Sequence, residues 1–271
     1  MKSILVPIED HSAIQSVLET AARSAELFGA TVTAVPLRAM QFQVVGAEPI
    51  VAVSFPPADQ DDAATASKAR QLYDNFATGY SGAAVTVDWH KEVAIDDIAL
   101  GSLARVHDLT VVGRPSSADG GARMTTLESV LFDGGRPVLI APPNGTGSLG
   151  GNVVISWNCS IEAARTVAFA MPLLKGANSV TVLTIEEAVA PGPPGADLCA
   201  NLKANGIDAK EITTSARNRK PGAAILEEAA GLGGDILIKG AYTQSRLRQM
   251  IFGGATSHIL ANSTLPVFMA N

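Results

Sequence analysis

Short apolar runs alternate with amphipathic segments along the whole chain. The run at 4–8 is rich in branched side chains, and a polar break with Ser12 separates it from a segment of helical periodicity. Strands that alternate with helices indicate βαβ units and a parallel sheet covered by helices on both faces. The pattern therefore predicts an α/β protein. Its strands are expected near 3–8, 31–37, 84–89, 109–113, 137–141, 152–157, 179–185, 208–213, 235–239 and 266–270.

The second half of this pattern repeats the first. The run at 153–158 matches that at 4–9, and 235–240 matches 108–113. Between the copies lies a Pro/Gly/Ser stretch that is typical of a domain boundary. We predict two domains, at 1–143 and 152–271, each with a five-stranded parallel sheet. The Pro-, Gly- and Ala-rich segment from Arg38 to Asp62 is interpreted as a loop insertion in the first copy.

Composition narrows the class of protein. Of 271 residues, 47% are hydrophobic and 17% charged, which allows a sizeable core. A net charge of -6 argues against phosphate-backbone contacts, so no nucleic-acid partner is expected. Two cysteines make no disulfide framework, and the N-terminal apolar run is too short for a signal or membrane segment. We expect a cytoplasmic protein with no membrane partner, in which Cys159 is an ordinary turn residue.

The stretch with the most candidate ligand-binding residues follows the fourth strand of the second copy. Gly240 ends that strand, and Gly253, Gly254, Ala255 and Thr256 open the last helix. A helix start offers free N–H groups and a positive dipole end, which suit a phosphate group. Positive charge from the neighbouring Lys239 favours the same ligand. Gly240 also fits a tight turn, and Gly253 and Gly254 also fit close helix–strand packing, so these alternatives stay open.

In these residues the chain resembles a tandem universal stress protein. That family carries the motif G-x2-G-x9-G-[ST] between its fourth and fifth strands, where its ATP-binding members hold ribose and phosphates. Gly240 stands at the first glycine and Gly253 at the third. Thr243 replaces the second glycine, and Gly254 takes the place of the Ser/Thr, with Thr256 two residues on.

The resemblance implies two Rossmann-like domains of the adenine nucleotide alpha hydrolase-like type. It also implies ATP or ADP as the cofactor, with Mg²⁺ arriving on the nucleotide. Asn158 and Ile185 end the first and second strands of the second copy, where the family faces adenine and ribose. The implied binding set is Asn158, Ile185, Lys239, Gly240, Thr243, Gly253, Gly254, Ala255 and Thr256.

The first copy departs further from the motif. It keeps Gly113, but Pro115 follows closely and no glycine precedes the helix start near Met124. Glu9 stands where the family has aspartate. We expect this copy to bind no nucleotide and to pair with the second copy. The chain would then be an intramolecular pseudo-dimer or would form a homodimer.

The remaining candidate chemistry is weak. No histidine has metal-ligand spacing, and neither a G-x-S-x-G elbow nor a Walker loop is present, so we expect no enzyme beyond a slow ATPase. Asp96 and Asp97 are interpreted as solvated or helix-start charges. The leading hypothesis is a stress-response regulator that binds an adenine nucleotide and signals to a protein partner. The alternative is a scaffold of the same fold that binds no nucleotide.

Overall fold

The computed structural model describes residues 1–39, 43–47, 50–54, 61–82, 85–90, 93–241 and 254–271. Its strands are β1 (Ser3–Ile8), β2 (Thr31–Pro36), β3 (Gln43–Ala47), β4 (Ile50–Ser54), β5 (Val87–Trp89), β6 (Leu109–Gly113), β7 (Val138–Ala141), β8 (Asn152–Ser156), β9 (Ser179–Ile185), β10 (Ala209–Thr214), β11 (Ile236–Gly240) and β12 (Val267–Ala270). Its helices are α1 (Ile14–Phe28), α2 (Asp61–Gly79), α3 (Asp97–Ala104), α4 (Met124–Asp133), α5 (Ile161–Leu174), α6 (Gly195–Ala204), α7 (Pro221–Gly231) and α8 (Gly254–Asn262).

Ten of these strands form one sheet in the order β10-β9-β8-β11-β12-β7-β6-β1-β2-β5. All neighbours are parallel except β12 and β7, which pair antiparallel at the centre, with Phe268 opposite Leu139. The predicted α/β class and the parallel pairing are confirmed. The two predicted five-stranded sheets, however, are hydrogen-bonded to each other and form one continuous sheet.

The predicted loop insertion contains regular structure. Within the segment from Arg38 to Asp62, β3 and β4 pair antiparallel as a separate two-stranded sheet. Valines recur on both strands, in the sequences QVVGA and IVAVS, and β-branched side chains favour extended backbone. No strand was predicted from the sequence in this insertion, so β3 and β4 were missed.

The same carboxylate contact precedes the first strand of each half. The Asp108 carboxylate accepts hydrogen bonds from the backbone N–H groups of Lys2 and Ser3, which hold the pKa of this carboxyl below its usual range. The Asp235 carboxylate accepts from the N–H groups of 150–152 in the same way. These bonds fix where each first strand enters the sheet.

Two apolar clusters cover the two faces of the sheet. One contains Val17 of α1 and Ala163 of α5, and the other contains Leu127 of α4 and Ile259 of α8. The carboxyl ends of β8 and β11 therefore lie between α5 on one face and α8 on the other. Within the described residues, no helix is both long and apolar enough to cross a membrane.

Candidate functional site

The end of β11 meets the first turn of α8 through a buried lysine. The Lys239 ammonium donates to the carbonyl of Gly240 at 2.8 Å and to Thr256 Oγ1 at 2.9 Å. Only 8% of Lys239 is exposed, and burial lowers its pKa to about 8, against a smaller opposing effect of Glu162. No carboxylate in the described part of the chain lies within ion-pair distance of Lys239.

This arrangement concentrates positive charge at one point. A helix start carries a partial positive charge from its unpaired N–H groups, and the Lys239 ammonium donates to a side chain in that same first turn. Desolvation disfavours a buried ammonium unless an opposite charge or hydrogen bonds compensate it. An anion at this helix end would supply the missing charge, so the site suits a phosphate or carboxylate group.

The structure explains Gly240 by packing. A Cβ at this position would lie 2.5 Å from the backbone N of Ala163 and 2.7 Å from the carbonyl carbon of Glu162. The first turn of α5 therefore rests directly on the end of β11. Ser160 caps that turn by accepting a hydrogen bond from the N–H of Ala163 at 3.1 Å. Close packing of α5 on β11 therefore accounts for a glycine at position 240, where the sequence alone had offered a tight turn.

Gly254 has the opposite surroundings. It is exposed at the start of α8, and a Cβ added there would meet no atom of the described residues within 4 Å. Ala255 turns its carbonyl towards α7, where it would lie 2.6 Å from a Cβ at Gly222. Among the described residues, the α8 start is thus packed on the α7 side and has no neighbour close to Gly254. Thr243 and Gly253 of the predicted set lie outside the described residues.

The other two predicted residues end neighbouring strands. Asn158 is half-buried, and its Oδ1 accepts from the N–H of Ser160 at 3.3 Å, which shapes the turn into α5. Ile185 is buried at the end of β9, so its side chain belongs to the core. Beside it, the hydroxyl of Thr184 is buried and has no partner among the described residues.

Cys159 adopts a left-handed backbone with φ 63°. Gly192 packs on it so closely that a Cβ would lie 2.5 Å from the Cys159 carbonyl oxygen. Burial raises the pKa of the Cys159 thiol, although a hydrogen bond with Trp157 opposes this. A thiol with a raised pKa is a poor nucleophile, so Cys159 fits its expected role in the turn.

In the first half, an arginine lies at the position that corresponds to the start of α8. Arg123 immediately precedes α4, and its Nε donates to Glu9 Oε2 at 2.8 Å. The two terminal nitrogens donate to the Asp97 carboxylate at 2.6 and 3.1 Å. Thr126 adds a hydrogen bond to Asp97 at 3.1 Å. This Arg123 clamp joins the end of β1 to the first turns of α3 and α4.

Sequence reasoning missed the clamp. Asp96 does cap α3, as its interpretation as a helix-start charge predicted, but Asp97 is buried and ion-paired. Glu9 and Arg123 lie far apart in the sequence, and no local pattern signals that they meet. Gly113 packs on Ala122, where a Cβ would lie 2.8 Å away. No described group of three or more His, Cys, Asp or Glu side chains could hold a metal ion.

Comparison with known proteins agrees with this architecture. Residues 161–271 match the model of the universal stress protein family. The chain is 16% identical to a universal stress protein from Archaeoglobus fulgidus DSM 4304, with a TM-score of 0.73 over 99% of this chain and 98% of that one. It is 15% identical to a putative universal stress protein from Pseudomonas aeruginosa UCBPP-PA14, with a TM-score of 0.54 over 100% of this chain and 93% of that one.

No curated protein matches the sequence. At these identities the solved structures show a shared fold, and the family model adds that the sequence of 161–271 follows the pattern of universal stress proteins.

Proposed function

We propose that this chain is a regulatory protein with two universal stress protein domains, at 1–143 and 152–271, of which the second binds ATP or ADP. The observation that carries the proposal is the buried Lys239 ammonium. It donates to the first turn of α8 and has no carboxylate partner among the described residues. A phosphate group bound there would compensate the positive charge.

The surroundings fit the rest of an adenine nucleotide. The N–H groups at the start of α8 and the Lys239 ammonium suit the phosphates. The half-buried amide of Asn158 and the hydroxyl of Thr184, which has no partner among the described residues, lie at the ends of the two neighbouring strands, where they can bond ribose or adenine. Mg²⁺ would arrive with the nucleotide and be held by its phosphates.

The first domain would serve as a pairing partner without a ligand. Its Arg123 clamp crosses the cleft that corresponds to the nucleotide site, so a nucleotide would first have to break two ion pairs. The central pairing of β7 with β12 joins the domains as the subunits of a dimer would be joined. The proposed output is a surface read by a protein partner in the cytoplasm, with no catalysis, nucleic acid or membrane involved.

A scaffold that binds no nucleotide is the second candidate. It is favoured by Gly240, whose need for glycine is satisfied by packing on α5 alone. It is also favoured by Gly254, which lacks the hydroxyl that the family motif has at that position. The two candidates differ in one measurable property, the affinity of the full chain for ATP and ADP.

Isothermal titration calorimetry with ATP, ADP and adenosine tests the proposal. We expect ATP and ADP to bind with a Kd below about 1 mM, which corresponds to about 4 kcal/mol. Gly254→Val adds a Cβ that meets no atom of the described residues within 4 Å, so the variant should fold and lose binding. Gly147→Val is the matched control, since Gly147 is also exposed and its Cβ position has no neighbour in the described part of the chain. Absence of binding by the wild type, or full binding by Gly254→Val, contradicts the proposal.

A further inference from the structure

One arginine of the first half reaches a helix of the second. Arg114 directly follows β6, and its Nη1 donates to the carbonyl of Ala261 in the last turn of α8. Its Nε is buried and has no partner within the described residues. The guanidinium is therefore committed to the carboxyl end of α8, the helix whose amino end forms the proposed phosphate site.

The last turn of α8 needs such a partner. The last carbonyl groups of a helix receive no hydrogen bond from within the helix, and the helix dipole favours a cation beside them. Helix α8 has only nine residues, among them glycine, threonine, serine and asparagine, which are weak helix formers. It carries no basic residue of its own in its last turn. Arg114 supplies that charge from the other half of the chain.

The backbone of Arg114 is held by the sheet. Its N–H donates to the carbonyl of Ala141 at 2.9 Å, which continues the pairing of β6 with β7. The loop that follows closes on itself, because the N–H of Ser116 donates to the carbonyl of Ala122 at 3.0 Å. Because these hydrogen bonds hold the backbone of Arg114, its guanidinium can restrain α8.

The position that matches Arg114 in the second half cannot make the same contact. The residue that matches Arg114 in the second half is Ala241, which has no side chain to reach across. The end of the corresponding helix α4 is held from within the first half, where Arg105 Nε donates to the carbonyl of Asp133 at 2.9 Å. Both arginines belong to the first half: Arg105 binds the end of α4 within that half, and Arg114 reaches across to the end of α8.

We propose that Arg114 is a positioning residue through which the first half holds α8 in the orientation that nucleotide binding requires. The role in binding rests on the proposed function, whereas the restraint on α8 does not. The first half thereby acts on the site of the second although its own cleft is closed by the Arg123 clamp.

Two measurements on the full chain test the proposal. Hydrogen exchange of the α8 amides reports on the restraint without any ligand, and calorimetry with ATP and adenosine reports on its consequence. In Arg114→Ala we expect α8 to exchange about tenfold faster and ATP to bind about five- to tenfold more weakly. Adenosine affinity should change less, because α8 faces the phosphates. Arg114→Lys, which keeps the charge, should restore most of both properties.

Arg105→Ala is the matched control, since it removes a bond from an arginine to a helix-end carbonyl within the first half. It should leave α8 exchange and ATP affinity unchanged, even where the free energy of unfolding falls. If Arg114→Ala does not fold, Arg114→Gln is measured in its place. It should also exchange faster in α8 and bind ATP more weakly, with smaller changes in both. Unchanged α8 exchange overturns the proposal, as does unchanged ATP affinity in a chain that binds ATP. A wild type that binds no ATP refutes the proposed function, while hydrogen exchange still decides the restraint.

Discussion

Replacing Lys239 with methionine tests whether this buried charge is uncompensated in the ligand-free chain. Methionine has a similar length and no charge, so it can occupy the same space between β11 and α8. The variant loses the hydrogen bonds to Gly240 and Thr256 and removes the desolvated ammonium. The two effects oppose each other, and the pH dependence of stability separates them.

The magnitude follows from the pKa of Lys239, which burial lowers from 10.5 to about 8. Since one pKa unit corresponds to about 1.36 kcal/mol, the folded chain holds the ammonium at a disadvantage of about 3 kcal/mol. Between pH 8 and 10.5 the unfolded chain keeps the proton and the folded chain has released it. The unfolded state then binds more protons, so the free energy of unfolding must rise with pH across this window, by about 3 kcal/mol in total.

Urea denaturation at intervals from pH 7 to 10.5 measures this rise. Lys239→Met should lack it and should be about 1 kcal/mol more stable than the wild type at pH 7. This estimate sets the removed disadvantage against two lost hydrogen bonds worth about 1 kcal/mol each. Lys210→Met, at an exposed lysine on β10, should keep the wild-type slope. An identical pH dependence in Lys239→Met and wild type would refute the account of Lys239 as an uncompensated buried charge.

Two further substitutions probe the two halves separately by urea denaturation. Gly240→Ala should lower the free energy of unfolding by about 2 kcal/mol or more, because its Cβ would overlap the backbone of Ala163. Gly254→Ala is the control. Equal stability of the two variants would contradict the explanation of Gly240 by its packing on α5. Arg123→Ala should lower the free energy of unfolding by about 3 kcal/mol, because the Glu9 and Asp97 carboxylates stay buried without their partner. A loss below about 1 kcal/mol would show that the Arg123 clamp contributes little.

The strands could be predicted from the sequence because their signal is local. Buried parallel strands are apolar along their length, and each run from 3–8 to 266–270 corresponds to a strand within three residues. The pairing of β7 with β12 could not be predicted, since it joins two segments whose own sequences only indicate buried strands. The hairpin of β3 and β4 was missed because glycine and proline near it suggested an irregular loop.

The candidate site was predictable in part for the same reason. Lys239 and Thr256 follow from the order of strand, loop and helix, and the structure brings them into contact. The burial of Lys239 depends on how α8 packs, and the Arg123 clamp depends on residues distant in sequence. Neither is encoded in a local pattern. The binding roles of all the predicted site residues, including Thr243 and Gly253 outside the described residues, stay predictions.

Amide NMR of the isotopically labelled full chain during titration with ATP tests the central claim most directly. The account predicts saturable shifts, at one nucleotide per chain, for the amides at 254–256 and for Asn158, with Glu9 and the amides at 124–126 unchanged. Shifts centred on the first half, or none at millimolar ATP, would contradict it.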